Sequence, residues 1–135
     1  MQEKMQVMIG TQDLGIWQRF AGVVDSKDLS LVPFHSIGEA VEGLVRNDVL
    51  LIFCANQLAD GSYEDLLTAA RKVNPHARIV VTGLDSDQFD ALGFCHAREL
   101  GAFDVLRKSY GIKDLEWILI CAMRDEMGAR TATAA

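Results

Sequence analysis

The sequence predicts a three-layer α/β fold, with one doubly wound parallel sheet of five strands between two layers of helices. Three observations predict it. Apolar runs alternate with amphipathic segments five times along the 135 residues. The strongest run, Val49–Ala55, is almost continuously apolar, as expected of a strand covered on both faces, and Arg78–Thr82 reads as another buried strand. Each run is followed by a helix-length segment, the usual right-handed return path between parallel strands.

The elements follow in order. Gln6–Ile9 is the first short strand. Asp13–Val24 is a helix with Leu14, Trp17, Phe20 and Ala21 on one face and Asp13 as its cap, although Gly15 and Gly22 weaken it. Leu31–His35 is a second strand, and Pro33 assigns it to a sheet edge, where a missing N–H is tolerated. Ser36–Arg46 is a helix with Ile37, Ala40, Val41 and Leu44 at helical spacing. The central strand Val49–Ala55 runs into a turn-like loop containing Asn56 and Asp60-Gly61. Ser62–Val73 is a helix with Leu66, Leu67 and Ala70 inward, and Arg78–Thr82 is the fourth strand. Asp87–Leu100 is the fourth helix, stopped at Gly101. Ala102–Leu106 is the last strand and Lys113–Met127 the last helix. Residues 1–127 thus form one domain, and 128–135 a flexible tail or the start of a linker.

Composition narrows the function. Half of the residues are hydrophobic, so a chain of this length can bury a core of its own. No run approaches the roughly 20 apolar residues of a membrane span, and Met1–Gly10 lacks the pattern of a secretory signal, so a cytoplasmic location is expected. The net charge of −6 and the absence of a basic stripe argue against direct nucleic-acid binding. Cys54, Cys95 and Cys121 are odd in number and sit in apolar contexts, which favours buried thiols over disulfides. With His35, His76 and His96 they make no ligand spacing, so no metal site is expected. No glycine-rich phosphate loop and no nucleophile elbow occurs, and no cofactor is expected.

Open α/β sheets bind ligands beyond the carboxyl ends of their strands. Four stations occupy those ends. Thr11, Gln12 and Asp13 follow the first strand. Phe53, with Cys54 one residue on, lies in the third, seven positions before Asp60-Gly61. Thr82 ends the fourth strand, and Lys108 closes Gly101-Ala-Phe-Asp-Val-Leu-Arg-Lys. Over Gln6–Met127 this frame resembles the flavodoxin-like receiver domains of bacterial two-component response regulators. The resemblance implies an acidic pair for Mg²⁺ at Thr11 and Gln12, a phosphoacceptor aspartate at Phe53, and hydroxyl and lysine contacts at Thr82 and Lys108. The last two match. The first three are not acidic, and one carboxylate, Asp13, is a poor magnesium site. Ser109 stands where the family places a cis proline, Val105 where it places an aromatic switch residue, and the stretch from Thr82 to Gly101 is longer than usual, so Leu84–Phe89 is remodelled. The expectation is a non-enzymatic pseudo-receiver, a signalling module that works by protein contact.

The contact surface is sought on the last helix. Leu115, Ile118, Leu119 and Ala122 make one inward stripe, leaving Trp117, Ile120, Cys121 and Arg124 for a partner or for unusually wide burial. Trp and Arg are enriched where partners dock. A protein partner or a homodimer through the fourth helix, the last strand and the last helix is expected. Two alternatives remain open: a small-molecule sensor using the vacated pocket between Thr11, Phe53, Thr82 and Lys108, and a receiver phosphorylated on Asp13 or Asp60.

Overall fold

A computed structural model describes residues 5–10, 14–55, 57–58, 60–84, 99–107 and 111–134. Its main sheet has five parallel strands in the order β2-β1-β3-β6-β7. They are β1 (Gln6–Gly10), β2 (Ser30–Pro33), β3 (Val49–Ala55), β6 (Ile79–Leu84) and β7 (Asp104–Arg107). Between β3 and helix α3 (Tyr63–Val73), two-residue strands β4 (Gln57–Leu58) and β5 (Gly61–Ser62) pair antiparallel. Helices α1 (Leu14–Ser26) and α2 (Ile37–Arg46) and a C-terminal helix (Ile112–Ala134) complete the described elements. This is the doubly wound flavodoxin-like architecture that the alternation predicts.

The period-2 geometry of the strands divides the core into two layers. Met8, Ile52, Cys54, Ile79 and Val81 pack with Ala40 and Leu44 of α2 and Leu66, Leu67 and Ala70 of α3. Val7, Ile9, Leu51, Phe53 and Val80 pack with Phe20, Val23 and Val24 of α1 and with Leu115, Ile118, Leu119 and Ala122 of the C-terminal helix. The register between β1 and β3 slips near the start of the pair, from Gln6↔Val49 to Val7↔Leu51. Leu50 is the extra residue, so Leu50 and Leu51 both join the second layer, as a bulge permits.

Helix entries are capped as their sequences suggest. Ser36 accepts from the Glu39 N–H (3.1 Å) while Glu39 accepts from the His35 N–H (2.8 Å). The Asp65 carboxylate accepts from the Ser62 N–H (3.0 Å), and Asp114 from the Gly111 N–H (2.8 Å). Gly101 has φ +100°, which a non-glycine residue rarely adopts, and its carbonyl accepts from the Arg71 guanidinium. Pro33 closes an edge strand, as expected.

Most boundaries shift by one or two residues, and two of the differences matter for the core and the surface. The second strand begins at Ser30 and stops at Pro33, so Phe34 is already beyond it, buried, with its N–H donating to Ile9 O (3.0 Å). The last helix does not end at Met127 but continues to Ala134. Gly128 carries only a modest helix penalty, and the alanines and Arg130 that follow favour helix. The expected fourth helix, Asp87–Leu100, and the remodelled Leu84–Phe89 stretch fall mostly outside the described residues.

Candidate functional site at the strand ends and the C-terminal helix

The described floor of the crevice is formed by the carboxyl ends of β1, β3, β6 and β7. Gly10 pairs with Cys54, and Ala55 with Thr82, which in turn pairs with Leu106. Thr11, Gln12, Asp13 and Lys108 lie outside the described residues.

Phe53 is not at the strand end. It sits opposite Ile9 and Val80, two residues before the end of β3, and is only 1% exposed. Its ring meets Phe20 edge to face, with centroids 4.7 Å apart and planes at 85°. It therefore lines no strand-end pocket. The residue level with Thr82 is Ala55, five positions before Asp60. Cys54, one residue on from Phe53, turns to the opposite layer, where burial pushes its thiol up to about 12. A protonated thiol is a poor nucleophile. Phe53, Cys54 and Ala55 all lack a carboxylate.

The remaining polar groups are already engaged. The Thr82 hydroxyl donates to Cys54 O (3.3 Å), tying β6 to β3. The Asp60 carboxylate is engaged at the start of α2, where its Oδ1 accepts from the Ile37 N–H (2.9 Å). On the α2 side of the crevice, the Phe34 ring stands over Gly10: a Cβ there would lie 2.5 Å from its Cζ. Gly10 is thus a close-approach glycine. Among the described residues, no group of three His, Cys, Asp or Glu side chains could hold a metal ion.

The C-terminal helix divides as its sequence suggests. Leu115, Ile118, Leu119 and Ala122 are buried against the sheet. Trp117 is 59% exposed and Arg124 is exposed, while Ile120 and Cys121 are half-buried at the margin. Met127, 68% exposed, extends the same line by one more turn; its place at the expected helix end hid it from sequence reasoning.

One residue had no warning in the sequence. Arg78, just before β6, has only 8% of its side chain exposed. Its Nε donates to Asp125 Oδ2 (2.7 Å), and its NH1 lies 2.9 Å from Glu126 Oε2 and 3.3 Å from Leu50 O. It binds the later turns of the C-terminal helix to the amino end of the sheet. A basic residue opening an apolar strand reads as solvated unless its partners, 47 positions away, are known.

No family model and no curated protein matches the sequence. Solved structures do match its fold. A signal receiver domain from Vibrio parahaemolyticus superposes with TM-score 0.83 at 14% identity, over 96% of this chain and 98% of that one. A CheY-like response regulator receiver domain protein from Methanospirillum hungatei gives 0.75 at 17%, over 93% and 99%. NtrX from Brucella abortus gives 0.81 at 15%, and there the match covers 98% of this chain but 29% of the longer protein. At these identities the likeness establishes the fold.

Proposed function

We propose that this chain is a receiver-like signalling module of the two-component type that carries out no phosphotransfer and is not an enzyme. It acts in the cytoplasm by protein contact through the exposed face of its C-terminal helix. The observation that carries this reading is the residue level with Thr82: it is Ala55, which offers no carboxylate to a phosphoryl donor. The two neighbouring registers, Cys54 and Phe53, are buried and equally non-acidic. Asp60 is held by the Ile37 N–H at the α2 N-terminus, which disfavours it as a substitute acceptor. Phe53 in the core and Phe34 against Gly10 leave the small-molecule alternative without two of the walls or spaces it needs.

The protein-contact half rests on Trp117. An indole more than half exposed on a helix whose opposite face is fully packed is a docking anchor of the kind that dominates interfaces. The acidic balance of the chain points the contact toward protein rather than nucleic acid.

Incubation with acetyl phosphate and Mg²⁺, followed by intact-mass measurement, is the direct test. No phosphoryl adduct is expected; a stoichiometric adduct would overturn the reading. Sedimentation over a dilution series then tests contact, with association of the parent expected and Trp117→Ala weakening it about tenfold or more.

A further inference from the structure

We propose that the C-terminal helix pairs antiparallel with the same helix of a second copy, each Trp117 receiving the other copy's Arg124. The proposal rests on the protein-contact reading above and specifies its partner and geometry.

Trp117, Ile120, Arg124 and Met127 follow one another at spacings of three, four and three residues, so they lie on one line along the outward side of the helix. Trp117 and Arg124 are two turns apart, about 10.5 Å along the axis. In a parallel pair each residue meets its own copy, and two Arg124 guanidinium groups would face each other across the seam. In an antiparallel pair centred between Ile120 and Cys121, each Trp117 instead lies opposite an Arg124. Ile120 then meets Cys121, and Lys113 lies opposite Gly128, where the missing side chain leaves room for the lysine stem.

The complementarity is of cation to aromatic face, which is favourable and grows as water is removed. Arg124 is available for it. Among the described residues it has no ion-pair partner, because Asp125 and Glu126 are turned to Arg78. Glu116 flanks the line on the side of Met123 and Met127, and across the two-fold it faces those methionines rather than Arg124. The two-fold supplies the contact twice, and the opposed helix dipoles of an antiparallel pair attract.

The geometry is read out by cross-linking. Lys113→Cys and Gly128→Cys are each made in a Cys95→Ser, Cys121→Ser background, where Cys54 is buried. A short bismaleimide spans the 8–10 Å expected between paired helix axes. Mixing the two variants should give a covalent dimer that neither gives alone. Self-linking of Lys113→Cys would mean parallel pairing and overturn the proposal. In sedimentation, Arg124→Met should weaken association about tenfold. Adding Trp117→Ala to it should cost less than the two single losses combined, as expected for contacting residues. A parent that dimerises with unchanged affinity when Arg124 is lost overturns the antiparallel pair but leaves the contact reading standing. A parent monomeric at every concentration, yet captured by a different protein, overturns the self-pairing alone. One that binds nothing removes the contact reading with it.

Discussion

Phe53 and Phe20 meet in the middle of the layer between the sheet and α1, so the aromatic pair carries packing. Phe53→Ala is expected to cost ~3–5 kcal/mol in chemical denaturation, the range of a large buried ring removed. Phe53→Asp should be at least as harmful, since it buries a carboxylate without partners. Ala55→Asp should be clearly milder, because it places the same group at the strand end. Equal losses for the two aspartate variants would put the register of β3 in error. Cys54 gives a pH signature. Its thiol is raised from 9.0 to about 12 by burial, so the folded state holds the proton more tightly than the unfolded one. That contribution is complete below about pH 9 and is lost as pH rises toward 12. Stability should fall over that alkaline window, and less so in Cys54→Ala after allowance for its cavity. The register of these residues was the part of the site least legible in the sequence. Counting back seven positions from Asp60-Gly61 reaches Phe53, whereas the residue paired with Thr82 is Ala55, a register that only the sheet pairing reveals.

At the scale of elements, the clamp at Arg78 joins the C-terminal helix to the start of β6. Its two halves differ in burial: the guanidinium is almost fully enclosed, whereas Asp125 is 59% and Glu126 23% exposed. Removing the arginine leaves carboxylates that water can reach. Removing both carboxylates leaves a buried cation with only a carbonyl for company. Asp125→Ala with Glu126→Ala is therefore expected to cost more, roughly 3 kcal/mol, than Arg78→Met, and thermal or urea unfolding of the two variants decides it. The reverse order would mean that the two carboxylates carry little of the contact. The elements themselves were legible because apolar runs and helical stripes alternate so regularly; the inward stripe of Leu115, Ile118, Leu119 and Ala122 is a direct case. The end of that helix was not, since Gly128 is a local signal and the helix continues through it. Nor was Arg78, whose burial depends on tertiary partners.

For the whole molecule, the two sheet edges differ in how they meet solvent. On β2, Ser30 and Phe34 turn their N–H groups to β1, so Pro33 removes a donor from the open side; on β7, Phe103 donates inward to Ile79 O (2.8 Å). The proline discourages strand addition at the β2 edge, so association is expected through side chains of the C-terminal helix and not by extension of the sheet there. Pro33→Ala should leave the Trp117-dependent affinity unchanged in sedimentation, and a rise in association on that substitution would reveal a competing edge-strand route. The contact between Gly10 and the Phe34 ring has a consequence for ancestry and descent. Gly10→Asp alone drives a side chain into the ring, and Phe34→Ala alone leaves a void in the first core layer. Each single step lowers stability, in whichever order they are taken. A lineage carrying this pair is held to glycine at position 10, because any side chain there must wait for the ring at position 34 to shrink, and the ring cannot shrink first without loss.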